Sequence, residues 1–252
     1  MLRKTFGVWV LGVAAFGASG TVITLNPVKD ATIIQENSAI ANGAGLGLFA
    51  GNIGAGVGFA RRGLVQFDVS SIPAGSTINS VSVVLTLTKV NSGSAPTQIS
   101  LFRVTNGWSE GPSHAGNANG QGSFAQAGDV TWEHTLFNMM FWNNPGGDFV
   151  PTPSATQTIG QSLVAYTWAS TPTLIADVQG WVNNPGTNFG WLLKGNEAIA
   201  TTTRRFASRE VSTVTQRPKV IIDYTPVPAP SALALAPLAG LAACRRRRTM
   251  TQ

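Results

Sequence analysis

The stretch at residues 171–224, TPTLIADVQGWVNNPGTNFGWLLKGNEAIATTTRRFASREVSTVTQRPKVIIDY, contains a helix and then strands in one uninterrupted run. Thr171 offers a hydroxyl to cap a helix, and Pro172 fits the first helical position, where a missing N–H costs nothing. Leu174, Val178, Trp181 and Val182 follow at helical spacing, an apolar stripe that Asn184 and Pro185 break. A short helix with one buried side is expected there. Phe189, Trp191, Leu192 and Leu193 read as a strand. Val220, Ile222 and Tyr224 alternate in a closing strand, with Asp223 between them.

Upstream, residues 62–69 read as a strand with Gly63, Val65 and Phe67 on one face and Arg62, Leu64, Gln66 and Asp68 on the other, followed by the turn SSIPAGST. Val81, Val83, Leu85 and Leu87 alternate with Ser82, Val84, Thr86 and Thr88, the pattern of a half-buried strand. Residues 99–104 give another, and residues 21–33 read as one strand. The Gly-, Ala- and Asn-rich stretch at 37–58 reads as a long surface loop. Its GAGLG and GNIGAGVG segments lack the strand-to-helix setting and the Lys-Ser or Lys-Thr end of a phosphate cradle. Sequential strands with short turns predict an all-β protein: an antiparallel β-sandwich of jelly-roll type with one short helix.

The helix, NFGWLLK, FASRE and RPKVIIDY series, together with KDATI from Lys29, RRGLVQFDVSSIPAG from Arg61, GDVTW and FWNNPGGDF, resembles the DNRLRE domain, a family of secreted bacterial β-domains related to carbohydrate-binding modules. The resemblance spans about residues 26–225. It matches Asp30, Arg62, Leu64, Arg209 and Glu210 to the residues that name the family, with Asn42 or Asn52 as the Asn. Gln66 stands where many members carry a basic residue. Charged groups facing a sandwich interior must be paired, so Asp30, Arg62, Arg209 and Glu210 are read as a structural ion-pair network.

Both ends carry separate signals. Residues 1–20 have a basic start, an apolar run and a small-residue site at Ala18, Ser19 and Gly20, the pattern of a secretory signal peptide. The sandwich domain is then expected over 21–225. Residues 226–252 combine Val227, Pro228, Ala229 and Pro230 with an apolar run and the cluster Arg245, Arg246, Arg247 and Arg248. This tail resembles the PEP-CTERM sorting signal. That resemblance implies an exosortase-like processing enzyme as partner and transient anchoring in the inner membrane, with Ala229 in place of the usual Glu. Cys244, the single cysteine, lies in the same tail, so the sandwich depends on its core rather than on a disulfide.

The formal net charge is +6, but Arg3, Lys4 and the Arg245–Arg248 cluster supply six of the seventeen basic residues, and the remainder balance the eleven acids. The body of the chain therefore lacks a polyanion footprint, and nucleic acid is not an expected partner. Glu110, Glu133, Asp148 and Asp177 do not pair at a spacing that predicts general acid and base partners. His114 and His134 lack an oriented acidic neighbour, and neither a nucleophile elbow nor a metal-ligand cluster is evident. No cofactor and no metal are expected. Residues 108–153 set aromatic rings in Gly-, Asn- and Ser-rich loops. A sugar ring presents C–H faces and a hydroxyl rim, so Trp108, Trp132 and Trp142, with Asn143, Asn144 and Asp148, are the candidate glycan-binding residues. The same rings equally suit plugs beneath long loops. The expected function is that of an exported, non-catalytic cell-envelope or matrix protein with exopolysaccharide as candidate ligand. The alternatives are a purely structural surface protein and a polysaccharide-degrading enzyme.

Overall fold

The computed structural model describes residues 19–54, 56–116 and 120–227. The expected signal peptide, apart from Ser19 and Gly20, and the expected sorting tail from Pro228 onward, Arg245–Arg248 included, lie outside the described residues. Strands β1 (Thr21–Leu25), β2 (Pro27–Ile34), β3 (Ile40–Asn42), β4 (Gly47–Asn52), β5 (Ala60–Phe67), β6 (Thr77–Val90), β7 (Thr97–Arg103), β8 (Ser123–Phe124), β9 (His134–Leu136), β10 (Met140–Phe141), β11 (Ala155–Ile159) and β12 (Ala165–Trp168) precede helix α1 (Pro172–Asn183). Strands β13 (Trp191–Lys194), β14 (Arg204–Ala207) and β15 (Lys219–Thr225) follow it.

The ladder runs antiparallel from β1 through β15, β6, β14, β4, β5, β13 and β7 to β11, with β12 on β6 and β2 on β5. β4 and β5 share only the pairs Gly51 with Arg61 and Asn52 with Ala60. The path turns over at this narrow join, so the layer of β1, β15, β6 and β12 faces the layer of β2, β5, β13, β7 and β11. The product is an antiparallel β-sandwich. Its core interleaves Val65 and Phe67 of β5, Leu101 of β7 and Leu193 of β13 with Val83 and Leu85 of β6 and Ile222 of β15.

Helix α1 closes the core where the sequence predicts it. The Thr171 hydroxyl accepts the Leu174 N–H at 3.0 Å, Pro172 opens the helix, and Leu174, Val178, Trp181 and Val182 are all buried. Trp181 packs 4.5 Å from Trp191 between ring centroids. Asp177, on the same helix, is buried with them: it accepts the Trp191 indole N–H at 2.9 Å and pairs with Arg103 at 3.1 Å.

Two expectations are corrected. Residues 21–33 form two strands, because β1 joins β15 in one layer while β2 crosses to β5 in the other. The stretch at 37–58 is not simply a loop: it contains β3 and β4, and β4 is buried along its whole length. Its glycines serve close backbone approach. A Cβ on Gly47 would lie 2.8 Å from Arg205 Cγ, and Gly51, at φ +115°, rests against the Thr202 carbonyl.

Strand β5 is buried on both faces. Its outward Leu64 joins Ile33, Leu192, Val130 and three tryptophans in a second core, so the segment after β7 lies as a lid over the outer face of β2, β5 and β13. Leu174→Ala is expected to cost about 2–5 kcal/mol by opening a cavity, and Thr171→Ala about 1 kcal/mol by loss of the cap. Urea denaturation of the two variants measures this difference.

Candidate functional site

The three candidate tryptophans are the anchors of that lid. Trp108, Trp132 and Trp142 are 5%, 8% and 4% exposed. The Trp108 indole donates to the Phe189 carbonyl at 2.9 Å, and that of Trp142 to the Thr131 carbonyl at 3.0 Å. The Lys29 ammonium lies 4.2 Å above the Trp108 ring, and the Arg62 guanidinium 4.6 Å above Trp132. A stacking platform needs an open face, and Trp132 and Trp142 have none to offer a sugar, while Trp108, though buried, lines part of the cleft beside Phe141. Their burial favours the role of lid plugs for Trp132 and Trp142.

Asp148 organises the neighbouring turn. Its Oδ2 accepts the Asn143 N–H at 2.8 Å and the Asn106 amide at 3.2 Å, while Oδ1 accepts the Asn144 N–H at 2.9 Å. The side-chain amides of Asn143 and Asn144 also point back to it, at 3.0 and 3.1 Å. Burial works against the charged carboxylate, but these donated bonds outweigh it and hold Asp148 below the ordinary carboxylate range.

The lid exposes large apolar side chains at Phe124 on β8 and on the hairpin of β9 and β10. Asn138, at φ +57°, takes the left-handed turn that Asn tolerates, and Met139, Met140 and Phe141 project at 71%, 61% and 64% exposure. Phe141 and Trp142 are consecutive in an extended segment, so one faces outward as the other is buried. The Phe141 ring rests on buried His134 at 4.4 Å. Beside it opens a cleft of about 440 Å³, with Asn106, Ser109 and Thr135 as polar lining and Trp108, Leu136, Met140 and Phe141 as apolar lining. Phe141 is visible in the sequence as one ring among several. Asn106, Ser109 and Thr135 carry no signal there, because the hairpin brings segments from separate parts of the chain together. A second hollow, of about 450 Å³, lies over Gln98, Ser100 and Lys194 but has no comparably exposed ring, Phe102 being half-buried.

The four charged residues read as one network fall into two clusters. Arg62 forks onto Glu197 at 2.6 and 2.8 Å and donates to the Gly146 carbonyl at 2.6 Å, locking the lid to β5. Asn52 donates to the Glu197 carbonyl at 2.8 Å, fixing that acid's loop. Asp30, Arg209 and Glu210 do meet, with Glu110 as an unforeseen fourth member. The Arg209 N–H donates to Asp30 Oδ2 at 2.7 Å, and its guanidinium pairs with Glu110 at 2.8 Å and Glu210 at 3.4 Å. The Asp30 N–H donates to Glu110 Oε1 at 2.7 Å. Complete burial, joined by the charges of Glu210 and Glu110, pushes the Asp30 carboxyl well above the ordinary range, against the opposing Arg209 N–H bond. Asn42, the other candidate Asn, is buried and donates to the Gly47 carbonyl at 3.3 Å.

Against known proteins, the model of carbohydrate-binding module family 96 matches residues 21–114, which spans β1 to β7 and the segment carrying Asn106, Trp108, Ser109 and Glu110. No curated protein matches the chain.

Removing one partner of a buried pair leaves the other charge uncompensated, so Arg62→Ala is expected to cost about 3 kcal/mol. Arg209→Ala should cost less, since its side chain is 36% exposed, yet lower the melting temperature before any binding is lost. Thermal and urea denaturation test both. Asp148 adds a pH signature. Its depressed pKa contributes stability that is complete above the ordinary carboxylate value near 4 and is lost as pH falls through the lower folded value. The slope of stability against pH below about 4 is expected to flatten in Asp148→Asn.

Proposed function

We propose that this is an exported, non-catalytic protein of the cell envelope or extracellular matrix that binds exopolysaccharide in the cleft beside Phe141. The observation that carries the reading is an exposed aromatic ring at the edge of an open, uncharged hollow that sets Asn106, Ser109 and Thr135 beside Trp108, Leu136 and Met140. A pyranose places its C–H face on such a ring and its hydroxyls toward Asn106 and Ser109. The similarity of residues 21–114 to a carbohydrate-binding module family supports a sugar as ligand. The non-catalytic part of the reading is supported by the match of residues 21–114 to a binding-module family. Export rests on the basic, apolar and small-residue order of residues 1–20. Transient inner-membrane anchoring and release by an exosortase-like enzyme rest on the resemblance of residues 226–252 to a sorting signal.

A purely structural surface protein is the second reading, favoured by the burial of all three candidate tryptophans. Native gels cast with neutral or acidic polysaccharides distinguish the two readings when run with the full chain. Retardation by at least one polysaccharide is expected, with Phe141→Ala weakening it by about 3–10-fold, the value of one aromatic contact worth about 1 kcal/mol. An unchanged melting temperature would assign that loss to the surface. No retardation across the panel would favour the structural reading, and released sugar would favour an enzyme.

A further inference from the structure

We propose that Asp30, Glu110 and Glu210 bind one hard divalent cation of the Ca²⁺ class. The three come from distant parts of the chain: β2, the segment after β7 and the turn after β14. One carboxylate oxygen from each lies within 4.8 Å of the others. Oxygen ligands sit about 2.3–2.6 Å from Ca²⁺, so two on opposite sides of the ion are about 5 Å apart, and all three reach one ion with little movement.

The independent observation is a pair of orphaned atoms. Asp30 is 0% exposed, and its Oδ1 is buried with no hydrogen-bond donor. Glu210 Oε2 is buried in the same state. Arg209 gives its N–H to the other Asp30 oxygen and its guanidinium to Glu110 and Glu210 Oε1. The Lys29 ammonium is held on the Trp108 carbonyl and over that indole. Buried carboxylate lone pairs without a partner are costly, and a cation satisfies both at once.

The site is also rigidly built. A Cβ on Gly43 would lie 1.9 Å from the Glu110 carbonyl oxygen, and one on Gly111, at φ +75°, would lie 2.0 Å from Asp129 Oδ1, so the backbone around Glu110 is clamped on two sides. Glu110 and Glu210 keep side-chain exposures of 21% and 22%, which gives an ion a way in. Because Asn106 to Ser109 line the cleft just before Glu110, the ion would brace one cleft wall. The cation site itself does not depend on what the cleft holds.

The test titrates Ca²⁺ alone into chelator-stripped full-length protein by calorimetry, with melting followed in parallel and K⁺ at equal ionic strength as control. One Ca²⁺ per chain and a melting temperature raised by several degrees are expected, with Glu210→Gln weakening binding at least 10-fold and the exposed Asp68→Asn leaving it unchanged. Two results overturn the proposal. One is no heat and no melting shift at millimolar Ca²⁺, with stability instead rising toward acid pH, which assigns the orphaned oxygens to a shared proton. The other is equal loss in Glu210→Gln and Asp68→Asn, which reduces the effect to general charge.

Discussion

Burial of β5 on both faces is the constraint from which most of the molecule follows. A strand of an antiparallel sandwich ordinarily turns one face to water, and β5 cannot, because Leu64 and Arg62 project on the side away from Val65 and Phe67. The outward face therefore needs a cover. The segment between β7 and β11 supplies it with Val130 and three indoles. A cover made of loops brings backbone polar groups with it, and these must find partners before the apolar contacts can form. Asp148 takes both N–H groups of one turn, Asp129 accepts the N–H groups of Ser113 and Gln126, and the indole N–H groups of Trp108 and Trp142 go to carbonyls.

Charge enters the interior for the same reason. Arg62 sits where the lid meets β5, and its forked bond to Glu197 ties β5 to the loop between β13 and β14, while its third nitrogen holds the lid through Gly146. Such a pair gains little net energy over an apolar replacement of the same volume; what it contributes here is a defined position for three segments that have no common ladder. The Arg209 cluster performs the equivalent task at Asp30, with the difference that two of its oxygens are left without donors.

Local patterns in the sequence carry much of the fold. Helix α1, its cap and its end are readable because helical periodicity, Thr171 and Pro185 all act within a few residues of one another. The alternation of β6 and β15 is readable for the same reason. Strand β4 is not, since its glycines and alanines are chosen for what approaches them from Thr202 and Arg205 and leave no alternation. Partner choice is equally hidden: β6 pairs with β12, β14 and β15, all far along the chain. At the candidate site, the aromatic content of residues 108–153 is plain, but the direction of each ring is not. Trp142 and Phe141 differ by one position and by the whole thickness of the lid. Glu110 and Glu197 escape notice because their arginines lie 99 and 135 residues away.

The first and last strands are neighbours, with Thr21 opposite Tyr224 and Leu25 opposite Val220. The chain thus enters and leaves the sandwich at the same end of one edge. Tension applied through both ends would meet the β1 and β15 ladder as a zipper, loading its hydrogen bonds one after another rather than all together in shear. Held from one side only, the same sandwich bears no such load.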